Sequence, residues 1–334
     1  MRYKVCIIGG SGFIGSNLTR FFLNSGYNVR IADINQPSNL SPKVEFIPCD
    51  VRNFNDVKRA VKNCDVIIHT AIIQIPTINQ HKKLGYEVNF IGTQNVCKAV
   101  NESPEVKGMI LSGSWHVIGE RELKGNIDEG FGFRPDKVEN RARLYAFSKV
   151  AQEVIVRYYD EMSDKIYGVI RMGTVLGKDM PKKTAANIFI EKGLNGEAIT
   201  PFKHSMHRPM LYVDVRDICR AFEAFTRKII HNEFEKASKS LDHVFNVYYP
   251  EPITILELAE TVKDAIIKLS NGKIVPKIEI VDTGQESFFT KEDKYKISIN
   301  INKALKYLEL EKLKHPKETI NEIIKNKLAQ NFKP

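Results

Sequence analysis

Residues 9–15 read Gly-Gly-Ser-Gly-Phe-Ile-Gly, and they follow directly on the apolar run Val5–Ile8. Glycines in a G-x-x-G-x-x-G pattern permit a tight turn after a strand and let the next helix pack closely against it. They also let a pyrophosphate approach the backbone at the helix N-terminus, where unpaired N–H groups favour anions. The stretch therefore predicts a dinucleotide-binding loop. The residues expected to contact the dinucleotide are Gly9, Gly12, Phe13, Ile14 and Gly15.

An acidic residue lies at the end of the second predicted strand, Val29–Ile34. Asp33 stands 18 residues after Gly15, where a carboxylate can accept hydrogen bonds from the adenosine ribose hydroxyls. The same carboxylate would repel a 2′-phosphate. We therefore predict NAD as the cofactor in preference to NADP. The alternative is a glycine-rich turn followed by an unrelated surface aspartate.

Apolar strands alternate with helical segments through the first half of the chain, which indicates βαβ units and a parallel sheet covered on both faces. After residue 175 this alternation gives way to longer helical patterns. The predicted fold class is α/β, a Rossmann doubly wound parallel sheet with a smaller mixed α/β C-terminal substrate domain. We expect residues 1–177, with about 215–249, to form the NAD-binding domain. Residues 178–214 and 250–334 are expected to form the substrate-binding domain.

Tyr145 is the only one of the twelve tyrosines that has a lysine four residues later, Lys149. On a helix these two positions share a face. Proton abstraction near neutral pH requires a tyrosine whose pKa lies well below about 10, and a neighbouring ammonium favours the phenolate. We predict that Tyr145 and Lys149 are catalytic. The alternative is a pair of unrelated surface side chains.

A serine-rich stretch, Leu111–Gly119, follows a predicted strand of the sheet, at the end where α/β folds bind ligands. A hydroxyl there can bind the reacting oxygen and share its proton with a tyrosine. We predict that Ser114 has this catalytic role and also contacts the substrate. Ser112 is interpreted as a loop residue that satisfies backbone groups.

The composition argues against several classes of protein. No stretch approaches the roughly 20 apolar residues that cross a bilayer, so we expect no membrane partner. The formal charge is +10, but the basic residues are spread along the whole chain, so we expect no nucleic acid partner. The five scattered cysteines predict reduced thiols and a cytoplasmic location. Metal-ligand spacings are absent from the sequence, so no metal is expected.

Taken together, these motifs resemble the extended short-chain dehydrogenase/reductase family, in particular the NAD-dependent epimerase/dehydratase group typified by UDP-glucose 4-epimerase. The resemblance covers roughly residues 3–265. It implies further cofactor contacts at Asp50, Val51, His69, Ala71 and Asn89, with Tyr145 and Lys149 also touching the cofactor. It implies that Thr174 contacts the substrate and that Arg208, in the segment Arg208–Val213, holds a substrate phosphate.

The resemblance implies a sugar as the small-molecule substrate, and most closely C4 epimerisation of a UDP-hexose type nucleotide-sugar through a transient keto intermediate. Trp115 and His116 replace the Asp-Glu pair of the dehydratases, which argues against dehydration. The alternative is an NAD-dependent sugar or uronate dehydrogenase that releases NADH, since that branch shares the Ser-x-His-x-Ile-Gly pattern. The resemblance also implies a homodimer that pairs through helices near residues 88–100 and 145–162.

Two interpretations of His116 stay open. A histidine in the cleft can contact the substrate, and we assign His116 that role. It can also simply pack beside Trp115.

Overall fold

The computed structural model of the protein describes residues 3–38 and 41–331. Its strands are β1 Lys4–Ile8, β2 Asn28–Asp33, β3 Val44–Pro48, β4 Val66–His69, β5 Gly108–Ser114, β6 Gly125–Ile127, β7 Ile166–Met172, β8 Thr174–Leu176, β9 Pro209–Met210, β10 Tyr212–Asp214, β11 Val244–Val247, β12 Ile253–Thr254 and β13 Ile297–Ile299. Its α-helices are α1 Phe13–Asn24, α2 Phe54–Val61, α3 Thr77–Gln80, α4 Lys82–Tyr86, α5 Thr93–Glu102, α6 Arg143–Met162, α7 Ala185–Leu194, α8 Val215–Ile230, α9 Ile255–Leu269, α10 Asn302–Tyr307 and α11 Pro316–Asn331. A π-helical turn, Glu87–Gly92, joins α4 to α5.

Seven strands form one parallel sheet in the order β11-β7-β5-β4-β1-β2-β3. The chain builds outward from β1 to β3 on one side, and then returns to place β4 on the other side of β1. This reversal of strand order defines the doubly wound Rossmann arrangement. The predicted fold class is confirmed.

The sheet is buried on both faces because alternate side chains of each strand point to opposite sides. Ile7 of β1 belongs to the core that contains Phe22 of α1 and the apolar side of α8. Its neighbour Ile8 belongs to the other core, with Val96 of α5 and the apolar side of α2. This burial explains why the strands read as nearly continuous apolar runs.

In the described part of the chain, the remaining strands form three two-stranded sheets apart from the main sheet. Helices α7 and α11 both pack on α9, and α9 starts with a capping box between Thr254 and Glu257. Strand β8 pairs with β10, β9 pairs with β12, and β6 pairs in parallel with β13. The predicted division into two domains stays a prediction. None of the helices within residues 3–38 and 41–331 has both the length and the apolar composition needed to cross a membrane.

Candidate active site

A cavity of about 370 Å³ opens over the carboxyl ends of β1, β2 and β4, next to the point where the strand order reverses. Ligands of α/β folds bind at this position. Nine of the residues that were predicted to contact the cofactor line the cavity. They are Gly9, Gly12, Phe13, Ile14, Gly15, Asp33, Asp50, Val51 and Ala71.

The glycine loop has the close packing that the sequence predicts. A Cβ atom on Gly15 would lie 2.4 Å from the carbonyl oxygen of Gly9, so only glycine lets α1 approach the loop. Gly9 itself has a φ of +83°. At Gly12, which caps α1, an added Cβ would meet only one atom, at 3.4 Å. The first turn of α1 is therefore accessible to a pyrophosphate, and the loop fits the cofactor that its sequence implies.

The carboxylate of Asp33 is held at the rim of this cavity. It accepts hydrogen bonds of 3.0 Å from the backbone N–H groups of Ser11 and Asn35. A second acid, Asp50, is paired with Arg52 at 2.6 Å, and the hydrogen bond from Arg52 lowers the pKa of Asp50. Both carboxylates therefore line the cavity in fixed positions.

Two predicted cofactor residues have side chains that lie behind the cavity wall. His69 is fully buried, and its Nε2 atom lies 3.0 Å from the hydroxyl of Thr93. Burial, helped by the charge of Lys149, lowers the pKa of His69 to about 3. Asn89 accepts a 2.7 Å hydrogen bond from the N–H of Ile73 and donates to the carbonyl oxygen of the same residue. Asn89 therefore positions the loop that lines the cavity, since Ile73 is part of that lining.

The three predicted catalytic residues meet where β5 ends beside α6. Ser114 is the last residue of β5, and its hydroxyl interacts with that of Tyr145. Lys149 donates a 2.8 Å hydrogen bond to the carbonyl oxygen of Ser112. Its ammonium lies 5.9 Å from the centroid of the Tyr145 ring. The structure therefore brings these side chains together as the sequence predicts.

The electrostatics of this group differ from the simplest expectation. Burial lowers the pKa of Lys149 to about 7. Burial also raises the pKa of Tyr145, although the hydrogen bond with Ser114 opposes this effect. In this structure, therefore, Lys149 alone does not lower the pKa of Tyr145 below its ordinary value. The positive charge of an oxidised nicotinamide is a second source of phenolate stabilisation.

A buried ionic cluster lies on the other side of Ser114, and the sequence did not predict it. The Nε2 atom of His116 lies 3.4 Å from a carboxylate oxygen of Glu120, and the same oxygen lies 3.6 Å from Arg208. Arg208 also lies 2.8 Å from a carboxylate oxygen of Glu139. Burial alone would raise the pKa of Glu120, but the charge of Arg208 and the contact with His116 lower it to about 2. The cluster therefore contains a buried carboxylate, Glu120, whose ionised form is stabilised by Arg208 and His116.

The second cavity, of about 1110 Å³, is lined by three of the four predicted substrate residues, His116, Thr174 and Arg208, and by the unpredicted Glu120 and Glu139. The fourth, Ser114, is not part of the lining. Apolar side chains form much of its wall. They include Leu176, Ile188, Phe189, Met210 and Phe288. The indole nitrogen of Trp115 donates to the Thr174 hydroxyl at 3.4 Å, so this threonine is held at the edge of the cavity.

The fold, the glycine loop and the Ser-Tyr-Lys group together define an extended short-chain dehydrogenase/reductase. Residues 5–235 match the model of the NAD dependent epimerase/dehydratase family, and the chain belongs to that family. The predictions of the family and of NAD as its cofactor are confirmed.

Individual relatives differ in their reactions. The chain is 31% identical over 182 residues to the decarboxylating sterol-4-alpha-carboxylate 3-dehydrogenase of Mus musculus, a match that spans 54% of this chain and only about half, 48%, of the mouse enzyme. It is 27% identical over 226 residues to a putative UDP-glucose 4-epimerase of Methanocaldococcus jannaschii, covering 65% of this chain and 71% of that protein. Among solved structures, MoeE5 in complex with UDP-glucuronic acid and NAD has a TM-score of 0.78 at 18% identity, over 98% of this chain and 99% of the other. At that identity the likeness shows the fold.

Proposed function

We propose that the protein is an NAD-dependent sugar epimerase that inverts C4 of a UDP-hexose type nucleotide-sugar. The observation that carries this proposal is the cavity of about 1110 Å³ lined by His116, whose ring contacts Ser114 and Tyr145. Ligand cavities commonly measure about 300–1,000 Å³. This cavity has room for a nucleotide as well as a hexose.

The catalytic group supplies the proton chemistry of this reaction. We propose that Tyr145, as phenolate, accepts the proton of the sugar hydroxyl while Ser114 orients the reacting oxygen. Lys149 would bind the nicotinamide ribose from its position beside Tyr145. NAD, when bound, supplies the hydride acceptor. Return of hydride and proton to the opposite face of the keto-sugar completes the epimerisation.

Arg208 supports an anionic substrate group. Its Nη1 atom is the one that faces Glu139 and Glu120, whereas its Nε atom is buried and makes no hydrogen bond to any residue in the described ranges 3–38 and 41–331. A phosphate can accept a hydrogen bond from Nε. The half-exposed ring of Phe202 and the basic side chains of Lys192 and His204 also line this cavity. An aromatic surface beside basic groups suits a nucleotide base and its phosphates.

The second candidate function is an NAD-dependent sugar or uronate dehydrogenase that releases NADH. The observation that favours it is the pair of carboxylates, Glu120 and Glu139, within ion-pair distance of Arg208. They already neutralise the cation that would hold a phosphate. A free sugar acid would need less positive charge than a diphosphate, so this candidate competes directly with the first.

One experiment separates the two functions. The protein is incubated with NAD and a panel of nucleotide-sugars and free uronic acids, while NADH absorbance and product identity are followed together. Epimer formation from a nucleotide-sugar without accumulation of NADH supports the proposal. Stoichiometric NADH from a free sugar acid, with no epimer from any nucleotide-sugar, would replace it with the dehydrogenase. The Tyr145→Phe variant is the control, and it should lose at least about 10²-fold in turnover.

We also propose a homodimer that pairs through α6 and the helices before it. Apolar side chains are exposed along one side of α6 at four- and seven-residue spacings, which place them on one face. They are Phe147, Val154, Tyr158 and Met162. Helix α5 packs beside α6, and Tyr86 and Ile91 are exposed just before it. Light scattering tests this proposal, and a Val154→Lys, Tyr158→Lys double variant should be monomeric.

A cytoplasmic location stays a prediction. Its support is the set of five cysteines, all of which are buried and free. Thiols in this state suit a reducing compartment.

A further inference from the structure

The contacts around Ser114 continue beyond the three residues described so far. We infer that His116 and Glu120 form a proton relay with Ser114, so that the proton taken up by Tyr145 can pass on to His116. His116 is then a second acid–base group of the centre, and Glu120 positions it and balances its charge. This inference rests on the proposed proton abstraction by Tyr145 and adds residues that the Ser-Tyr-Lys group does not include.

The direction of each hydrogen bond follows from the groups involved. The Ser114 oxygen lies 3.1 Å from Nδ1 of His116, and the opposite ring nitrogen, Nε2, lies 3.4 Å from the Glu120 carboxylate. An ionised carboxylate only accepts. The ring proton of a neutral His116 is therefore on Nε2, and Nδ1 must accept from the Ser114 hydroxyl.

The hydrogen-bonding capacity of Ser114 agrees with this direction. A serine hydroxyl donates once and can accept twice. The Ser114 oxygen accepts a 3.3 Å hydrogen bond from the backbone N–H of His116. When its one proton points to Nδ1, its second lone pair can accept from the Tyr145 hydroxyl once Tyr145 has taken up the proton of the substrate; the Tyr145 ring lies edge-on to the His116 ring at 5.4 Å between centroids. Before that step the Ser114 hydroxyl can turn to donate to Tyr145, and this contact lowers the pKa of Tyr145. After that step the three side chains form one chain of donors that leads from Tyr145 to His116.

The surroundings of His116 decide whether it can take up charge. Its ring packs against Trp115 at 4.7 Å between centroids and meets Tyr145 edge-on at 5.4 Å. The ionised group that faces it is Glu120, which is only 2% exposed. Arg208, with Glu139 behind it, lies on the far side of Glu120. A proton arriving on His116 therefore forms an ion pair with a carboxylate that is already in place.

The transfer balances in atoms and charge. When the carbinol is oxidised, a reaction for which bound NAD would supply the hydride acceptor, the hydroxyl proton of the substrate moves to the phenolate oxygen of Tyr145. That proton then passes to the Ser114 oxygen while the Ser114 proton moves to Nδ1 of His116. The products are a restored phenolate, a neutral serine and an imidazolium paired with Glu120. Reduction of the keto-sugar reverses each transfer.

The first test does not depend on turnover. The protein has eight histidines, and selective ¹⁵N labelling of their rings, with NAD present, reports which nitrogen carries the proton. The His116 signals are identified by their loss in His116→Gln. We expect the neutral ring to be protonated at Nε2 in the wild type, and this preference to weaken in Glu120→Gln. Protonation at Nδ1 in the wild type would overturn the relay, whatever substrate the enzyme uses.

The second test uses the substrate found by the panel assay. We expect His116→Ala to lower kcat by roughly 10²-fold, the scale of lost acid–base catalysis, with unchanged affinity for NAD, and added imidazole to restore part of the rate. Glu120→Gln should lower kcat as well. His231→Ala and Glu122→Gln, at exposed positions outside both cavities, should keep the wild-type kcat and show no response to imidazole. A rise in KM at unchanged kcat in His116→Ala would overturn the relay and leave His116 as a substrate contact.

The two tests separate this inference from the proposed function. A wild-type protein that converts no substrate in the panel refutes the proposed function, and the ring-nitrogen measurement still decides the relay. A wild-type protein that epimerises a nucleotide-sugar while His116→Ala retains full kcat refutes the relay alone.

Discussion

The ammonium of Lys149 is hydrogen-bonded to the carbonyl oxygen of Ser112 across 2.8 Å. This contact ties α6 to β5 two residues before Ser114, so it fixes the spacing between the strand that carries the serine and the helix that carries Tyr145. Lys149 is almost fully buried, and within the described part of the chain no carboxylate pairs with it. Burial of the Lys149 ammonium without a partner carboxylate therefore makes the folded protein less stable.

Because burial of the Lys149 charge is unfavourable, we expect an apolar residue at this position to increase the free energy of unfolding, by an amount that depends on pH. Burial lowers its pKa to about 7, whereas the unfolded value is about 10.4. Between these values the unfolded chain binds the proton more tightly, so this group makes the protein more stable as pH rises from about 7 to 10. At pH 6.5 we expect Lys149→Met to be more stable by on the order of 2 kcal/mol, after allowance for the lost hydrogen bond.

Urea unfolding at several pH values measures this difference. Trp115, the single tryptophan, is buried and reports the transition by fluorescence. The gain in Lys149→Met should shrink towards pH 10, because the folded lysine is then neutral and the pH approaches the unfolded pKa of about 10.4, so little free energy is lost in deprotonating the side chain on folding. A variant that is less stable than wild type at every pH would contradict burial as the dominant effect.

Asp33 predicts the choice of cofactor. Its carboxylate is fixed by two backbone N–H groups at the rim of the first cavity, where it would meet the 2′-position of the adenosine ribose. We expect NAD to bind at least about tenfold more tightly than NADP, a difference of about 1.4 kcal/mol. Titration calorimetry with both cofactors measures it, and Asp33→Asn should narrow the gap. Equal affinities in the wild type would show that Asp33 does not contact the ribose.

The two glycines at the start of α1 should respond differently to alanine. Gly15→Ala forces a Cβ to within 2.4 Å of the Gly9 carbonyl oxygen, so the helix must move away from the loop and the protein should lose stability. Gly12→Ala adds a methyl group with room at 3.4 Å, on the surface that faces the pyrophosphate. We expect Gly12→Ala to fold normally and to bind NAD at least tenfold more weakly. Thermal unfolding and calorimetry together distinguish the two effects.

Arg208 is best tested with a substitution that keeps its charge. Removing the charge would leave Glu120 and Glu139 without a cation, a change that costs roughly 3–5 kcal/mol at buried sites. Arg208→Lys keeps the pairing but loses the planar guanidinium that binds a phosphate with two hydrogen bonds. We expect KM for a nucleotide-sugar to rise by about tenfold or more, with little change in kcat. An unchanged KM would favour the dehydrogenase that acts on a free sugar acid.

The Rossmann half of the molecule was predictable because its signals are local. The glycine loop, the acidic end of β2 and the alternation of strands and helices each lie within a short stretch of sequence. The predicted boundaries of individual elements lie within two residues of the observed ones. The strand predicted at Val29–Ile34 is observed at Asn28–Asp33. The helix predicted at Tyr145–Met162 begins two residues earlier, at Arg143. A π-helical turn precedes α5, which the predicted helix 88–100 did not foresee.

The ionic cluster was not predictable for the opposite reason. Glu120 follows Gly119 in an irregular loop, and no spacing marks it as buried. Its partner Arg208 is distant in the sequence, and charge alone does not say which of 40 acidic residues a given arginine will meet. Strands β6 and β13, which pair with each other, are also far apart in the sequence. Such contacts depend on how the C-terminal elements pack against the rest of the fold. No short stretch of sequence carries a pattern that predicts this packing.

The parallel pairing of Gly125–Ile127 with Ile297–Ile299 sets an order of events during synthesis on the ribosome. The segment that carries Glu120 and Glu139 gains this partner only after more than a hundred further residues beyond β7 have been made. At roughly 5–20 residues per second this takes on the order of ten seconds. The loop and strands that hold NAD are present well before then. We therefore expect that NAD can stabilise the nascent chain by mass action before the second cavity is complete, and that a ligand of the second cavity cannot do so.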